Sequence, residues 1–442
     1  MSLLSAATTR IKASHSDHRA IFRGIAWVSL FVVLAKVAGA IKEMAVAYQY
    51  GVGAEVDAYL YLFNIISWPV GVWFAVLTVV LVPLASRIHR EAPLDLPRFR
   101  AELLGQTLLA CAALFLLSWL ALALALSGTW SGLPDEATVI AERMLLPLLA
   151  LGPLGLLASL LSAWTLAAGR HANTLLEGVP SLTIAAALLM LPASGIEWLV
   201  WATVAGFVIH LACLLLPLIR RAEIEAPVLA LSSPHWKSFF QGFGILLAGQ
   251  ALMTLIGFID IYFAASLGSG AVSMLGYANR VLALLLGLGA TVAGRAMLPV
   301  FSRAAARGGK GQWRLVRQWA CLLFLVGAAA AAAGWALSPW AVQILFERGA
   351  FSAHDTQAVA EVLRYGLFQL PFYFGGLVLV TYASSRGQYR LLFWPGVIGI
   401  AVKITANLLL IPSLGLNGIA LGWVAVYAAT ALFFRITLGR IR

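Results

Sequence analysis

Val70-Gly71-Val72-Trp73-Phe74-Ala75-Val76-Leu77-Thr78-Val79-Val80-Leu81-Val82-Pro83-Leu84 carries no charge and runs into Ala85-Ser86-Arg87. It is the second half of an apolar span over residues 57–84. A helix needs about 20 apolar residues to cross a bilayer, so the stretch reads as a membrane crossing with a basic residue at its mouth. The ending returns 216 residues later, where Met297-Leu298-Pro299-Val300-Phe301-Ser302-Arg303 aligns with Leu81–Arg87. Thr165-Leu166-Ala167-Ala168-Gly169-Arg170 aligns with Thr381-Tyr382-Ala383-Ser384-Ser385-Arg386 at the same offset. Pro192 and Gly195 align with Pro412 and Gly415 at an offset of 220. Three matches in one order at nearly one offset predict an internal repeat.

Working outward, apolar spans lie at 24–48, 57–84, 103–127, 141–168, 174–193, 197–219, 239–266, 272–300, 316–338, 359–384, 391–411 and 417–437. The chain of 442 residues is 62% apolar and 11% charged, with a mean hydropathy of +0.92. Soluble proteins carry about 25% charged residues, so a soluble enzyme, a disordered chain and a fibrous one are excluded. The expected fold class is an all-α polytopic membrane protein: about twelve transmembrane helices in two six-helix lobes, 1–222 and 223–442, around a central cavity. Six is even, so the halves share one orientation and a pseudo-two-fold axis along the membrane normal. Transporters built this way bind substrate between the halves. Pro69, Pro147, Pro153, Pro180, Pro371 and Pro395 fall inside spans and predict kinks.

The net charge is +12, which in a soluble protein suggests nucleic acid. Here its placement decides. Alternate loops gather Arg10, Lys12, Arg19 and Arg23; Arg87, Arg90, Arg98 and Arg100; and Arg170. The same side holds Arg220, Arg221, Lys237, Arg303, Arg307, Lys310, Arg314, Arg317, Arg386, Arg390, Arg435, Arg440 and Arg442. The opposite loops hold Arg348. Positive charge stays cytoplasmic, so both termini are expected in the cytoplasm, and no nucleic-acid partner is implied. The first twenty residues are polar and basic without an apolar core or cleavage site, so the first hydrophobic span is expected to be retained. Cys111, Cys213 and Cys321 lie in apolar runs and form neither a disulfide framework nor a metal-ligand spacing.

The remaining basic residues fall within spans or at their mouths: Lys36, Lys42, Arg143, Arg280, Arg295, Arg364 and Lys403. A charge at the bilayer centre costs about 3 kcal/mol or more, so it faces a cavity or a partner. Arg143 after Glu142, and Arg364 three residues after Glu361, read as interfacial or helix-surface pairs. Lys42 beside Glu43, and Arg295 near a span end, divide evenly between snorkelling and a cavity role. Lys36, Arg280 and Lys403 lie deeper and read as cavity residues. Asp260, deep in its span, is either the counter-ion of Arg280 or an ion-coupling group. The expected substrate-binding cations are therefore Lys36, Lys42, Arg280, Arg295 and Lys403, with Asp57, Asp260 and Glu43 as counter-ions or coupling groups. A cation-rich cavity suits phosphate or diphosphate oxygens. A cation exporter would prefer acids and aromatics.

No catalytic signature is present: HExxH, GxSxG and a Walker lysine loop are all missing. His210, alone in its span, reads as a packing residue. The 15 Trp and 22 Phe read as interfacial belt and packing. An enzyme is not expected, nor a cofactor. With no ATPase in the chain, the driving force is an ion gradient (Na+ or H+, left open), the membrane potential or substrate disposal.

Ala35-Lys36-Val37-Ala38-Gly39-Ala40-Ile41-Lys42-Glu43 resembles the opening helix of the MurJ/MviN family, and Tyr50-Gly51-Val52-Gly53-Ala54-Glu55-Val56-Asp57-Ala58-Tyr59 resembles the turn after it. Gly276-Tyr277-Ala278-Asn279-Arg280-Val281, Leu298-Pro299 with Ser302, and Leu345-Phe346-Glu347-Arg348-Gly349-Ala350-Phe351 are similar to later motifs of that family. The resemblance implies a flippase of the MOP superfamily, which also holds MATE exporters and Wzx-type flippases. It implies an undecaprenyl-diphosphate-linked glycan as cargo, carried across the bacterial inner membrane by alternating access. The lipid tail would stay in the bilayer, and Lys36, Lys42 and Arg280 would hold the diphosphate. Membrane lipids and glycan-assembly proteins are the partners it implies. Departures are visible too. Trp68–Ala75 is uncharged where members carry Arg and Glu, Leu282-Ala283-Leu284 stands where an acid follows the arginine, and lysines replace both arginines of the first span. Members also typically continue beyond twelve spans. These departures favour another surface-polysaccharide unit over the peptidoglycan precursor lipid II. An ion-coupled MATE-type exporter working through Asp260 or Asp57 is the alternative, and a non-transporting membrane scaffold a third class.

Overall fold

A computed structural model describes residues 16–128, 130–170, 173–190, 195–292, 297, 312–386, 388, 391 and 393–440. Among them every regular element is helical. The first part of the chain holds α1 (Ser16–Tyr50), α2 (Ala54–Glu91), α3 (Leu96–Ser127), α4 (Asp135–Leu149), α5 (Leu151–Ala167), α6 (Val179–Met190) and α7 (Glu197–Arg220). The second part holds α8 (Trp236–Ala265), α9 (Ala271–Val292), α10 (Gln312–Phe346), α11 (Ala353–Leu367), α12 (Gln369–Ser385), α13 (Trp394–Leu414) and α14 (Leu416–Arg440). Taking α4–α5 and α11–α12 as single rods, nine elements among the described residues are long and apolar enough to cross a membrane. The sequence reading expects twelve. Every expected span overlaps a helix, but 174–193 contains the 12-residue α6, and the end of 272–300 lies outside the described residues.

The rods start and stop where local chemistry dictates. Ser352 caps α11: its hydroxyl accepts from Asp355 N at 3.2 Å, and Asp355 Oδ2 accepts from Ser352 N at 2.8 Å. Asp135 and Glu136 sit in the first turn of α4, where acids complement the helix dipole. Expected kinks become breaks at two places. Pro153, just past the α4–α5 junction, and Pro371, just past α11–α12, each remove a backbone donor. At the first junction the chain tightens, with Ala150 N donating to Pro147 O at 3.3 Å.

α2 is the hub of the packing, lying against α4, α5, α8 and α9. α1 packs on α6, and α6 on α7; in the second part α10 packs on α12, α13 on α14, and α8 on α13. The largest apolar core mixes residues of both parts: Val56, Tyr59 and Leu62 with Leu148, Leu199, Tyr277, Phe351 and Val359. All lie toward the ends that carry few basic residues. Toward the basic ends the core divides. One cluster contains Leu77, Leu81, Phe99, Trp164 and Trp236, the other Val316, Val378, Ala383 and Phe434. The rods are thus joined at one end of the molecule and hold separate cores at the other.

The joined end is sewn by backbone contacts. Ala350 N donates to Tyr48 O at 2.8 Å, and the buried Tyr277 hydroxyl donates to Gly51 O at 3.0 Å. Gly51 (φ 61°) and Gly349 (φ 62°) occupy the left-handed region, and a side chain on Gly349 would strike Tyr48 O. At the basic end, the segment between α7 and α8 is strapped to the first part. Glu223 pairs with Arg170, and Val228 N donates to Ala101 O at 3.0 Å. The buried Glu102 carboxylate accepts from Ser232 Oγ (2.6 Å), Ser233 N (3.0 Å) and Trp236 Nε1 (2.7 Å).

Candidate functional site

Between α2, α8 and α9 lies a cavity of about 460 Å³, closed on its far side by Gln369 of α12 and by Trp423 and Tyr427 of α14. Its polar lining includes Asn64, Ser67, Thr254, Asp260, Asn279 and Arg280. Trp68 spans the cavity wall, donating from Nε1 to Thr254 Oγ1 at 2.8 Å.

The structure gathers six of the eight expected charged residues into two groups. In the first, Glu43 Oε1 accepts from both Lys42 Nζ (2.7 Å) and Arg280 Nε (3.0 Å). Lys42 and Glu43 are buried, and the Lys42 ammonium stands 5.6 Å from the Phe63 ring centroid. The Arg280 side chain keeps 42% of its exposure. Helix geometry explains the meeting: α1 and α9 run in opposite directions, which brings Glu43, near the end of one, beside Arg280, near the start of the other. Lys36 lies further down the same seam, about 9 Å along the α1 axis from Lys42. It is exposed, and its ammonium approaches Gly287 of α9. The seam thus holds three cations against one acid.

The second group is sealed. Lys403, fully buried, pairs through Nζ with Asp260 Oδ1 at 2.8 Å. Nζ also donates to Ile419 O at 2.6 Å and lies 5.0 Å from the Trp423 ring centroid. Trp423 Nε1 donates to Asp260 Oδ2 at 2.5 Å. Lys403 therefore sits behind the cavity wall, where Asp260 is its counter-ion rather than that of Arg280.

Asp57 lies outside the cavity. Its buried carboxylate accepts from Gly270 N (2.6 Å) and Ser273 N (2.7 Å) and caps the start of α9. Arg295 lies outside the described residues. Arg143 and Glu142 are exposed as expected. Arg364 turns from Glu361 to Trp335 O (3.2 Å) and Ser338 Oγ (3.1 Å), while Glu361 accepts from Asn417 at 2.8 Å. The sequence reading assigns no chemistry to tryptophan and misses Trp68 and Trp423. Their depth within spans, away from the interfaces where a Trp belt sits, was the available signal.

Among described residues no His, Cys, Asp and Glu group could hold a metal ion. What the geometry offers is a candidate anion site: Arg280 lines the cavity, with Lys42 behind it on Glu43, and the amides and hydroxyls of the lining can orient a polar group, while the acid of the lining, Asp260, is neutralised by Lys403.

Comparison with known proteins bears on what that cargo is. The family model described as lipid II flippase MurJ matches residues 46–441. The probable lipid II flippase MurJ of Bdellovibrio bacteriovorus is 27% identical over 53% of this chain and 45% of its own length. That of Helicobacter pylori strain 26695 is 33% identical over 47% and 46%, so the chain matches about half the length of these two relatives. The lipid II flippase MurJ of Burkholderia cenocepacia is 24% identical over 91% of this chain and 80% of its own. Among solved structures, a lipid II flippase MurJ in an inward closed conformation superimposes with a TM-score of 0.79 at 18% identity, covering 93% of this chain and 87% of that one. An inward-facing multidrug resistance MATE family transporter of the MOP superfamily gives 0.70 at 15%, covering 93% and 95%. These structural likenesses establish the fold.

Proposed function

Because this chain belongs to the MurJ lipid II flippase family, a family of transporters rather than enzymes, we propose that it carries an undecaprenyl-diphosphate-linked saccharide from the cytoplasmic to the outer leaflet of the bacterial inner membrane. The observation that carries this is the charge surplus on the α1–α9 seam, where Lys42 and Arg280 share one acid, Glu43, and Lys36 adds a third cation further along, beside Gly287. A diphosphate supplies the missing negative charge through charge-assisted hydrogen bonds. The half-exposed Arg280 is the first cation it meets from the cavity.

In this reading the chain makes twelve crossings, divided as 1–222 and 223–442, with both termini cytoplasmic. The divided core lies on the cytoplasmic side, admitting the head group while the lipid tail remains among membrane lipids. Neutralising the seam lets the two halves close there, and separation of the contacts among Asp57, Gly270, Tyr48 and Ala350 opens the outer side. The names of the relatives favour lipid II as the cargo over another polysaccharide unit. Glycan-assembly proteins are partners to be sought.

The exporter alternative needs an acid free to take a coupling ion or a cationic substrate. Asp260 is already paired with Lys403, and Asp57 is bound by two backbone amides. The test is native mass spectrometry of the purified protein titrated with undecaprenyl diphosphate, beside Arg280→Ala. Saturable binding that the variant loses supports the reading. Equal binding by both folded proteins removes Arg280 from the site, and no binding by either moves the assignment to a small-molecule exporter.

A further inference from the structure

The Asp260–Lys403 group resembles a cation site more than an ordinary ion pair. Two helices send oxygens to one ammonium: Asp260 Oδ1 from α8 at 2.8 Å and Ile419 O from α14 at 2.6 Å, and Asn407, one turn beyond Lys403 on α13, lies beside them. Asn407 is fully buried; its amide nitrogen is within reach of the Asp260 carboxylate, while its Oδ1 has no hydrogen-bond partner. Gly422 provides the room: a methyl group there would stand 2.9 Å from Lys403 Nζ and 2.7 Å from Asn407 Oδ1. The amide oxygen and the ammonium therefore share one small pocket, with the Trp423 ring face over it. A carboxylate, a backbone carbonyl and an amide oxygen are the oxygen donors that hard cations take.

We propose that Lys403 is a tethered cation: its ammonium fills a site whose donors would otherwise hold a sodium or potassium ion. A buried carboxylate needs a positive partner. A lysine anchored on α13 supplies one that cannot dissociate to either side of the membrane. The site therefore contributes no alkali-ion coupling to transport, although it lies in the cavity wall.

The test uses purified full-length protein in detergent, with thermal unfolding measured in sodium, potassium and choline chloride at equal ionic strength. Wild type is expected to melt at the same temperature in all three. Lys403→Ala is expected to melt lower in choline and to recover saturably as sodium or potassium is titrated in, since an ion bound to the folded state alone stabilises it by mass action. Lys403→Ala/Asp260→Asn is expected to lose that recovery. A Lys403→Ala protein equally destabilised in all three salts overturns the proposal and leaves a plain structural ion pair. So does a wild type that sodium specifically stabilises. Where Lys403→Ala is too unstable to melt, its yield of monodisperse protein purified in sodium against choline decides: a higher yield in sodium supports the site, and equal failure overturns it.

Discussion

Two acid–base groups stand on the same cavity and differ in charge count and exposure. Glu43 is shared by two cations, Lys42 and Arg280, and one of these opens to the cavity. Asp260 has one cation, Lys403, and the pair is sealed, with side-chain exposures of 4% and 0%. In a low-dielectric interior a charge without a partner is costly. A balanced, enclosed pair meets that cost within the protein and has nothing left to offer a ligand. An unbalanced, half-open one carries a debt that an incoming anion settles. The difference between the groups, rather than the presence of charge, separates the candidate binding site from the scaffold beside it.

Breaking the balanced group should have the largest effect on stability. Asp260→Ala strands a buried ammonium and is expected to cost about 3–5 kcal/mol, read as a large fall in melting temperature. Asp260→Asn with Lys403→Met removes both charges and should recover most of the loss. A single variant that melts like wild type would erase the contrast. Next comes Arg280→Ala. Losing one charged hydrogen-bonding partner of a phosphate costs about 1.5–3 kcal/mol, so undecaprenyl diphosphate should bind about ten- to a hundredfold more weakly. Because Arg280 is half exposed, the melting temperature should barely move. Glu43→Gln sharpens the comparison from the other side by enlarging the surplus. It should bind the diphosphate several-fold more tightly while melting lower, both measurable on one preparation.

The smallest effect is expected at a pair that is balanced but wet. Glu223 and Arg170 keep side-chain exposures of 20% and 31%. The hydrogen bond from Arg170 holds the Glu223 carboxyl below its ordinary range. A depressed carboxyl pKa adds stability above the unfolded-state value and loses it as pH falls through the folded-state value. Exposed pairs contribute about 0–1 kcal/mol, so Glu223→Gln should melt slightly below wild type at pH 7. The gap should vanish in acid, below the depressed folded-state pKa. A gap that persists there would assign the effect to packing instead.

The apolar spans were legible in the sequence because they are a one-dimensional pattern. The breaks at Pro153 and Pro371 were legible as kinks, since a missing donor is a property of one residue. Pairing was not. Asp260 could be set against Arg280 or left as a coupling group, because nothing along the chain says that α8 lies on α13. The same holds for Glu43, whose second partner is 237 residues away, and for Trp423, whose depth marked it without naming Lys403 as its neighbour. Asp57 drew notice by its charge near a span, yet its ligands are backbone amides, which have no letter in the sequence.

The strap at Glu102 has a mechanical consequence. With Glu223, Val228, Ser232 and Ser233 all fastened to the first part of the chain, the connector to α8 has almost no slack. A floppy tether sets a local concentration that falls slowly with its length. A fastened one fixes where α8 begins, at Trp236, also held by Glu102. Residues inserted before Glu223 or after Ser233 are then unequal. The first would lengthen a segment pinned further along, whereas the second would shift the point from which α8 starts.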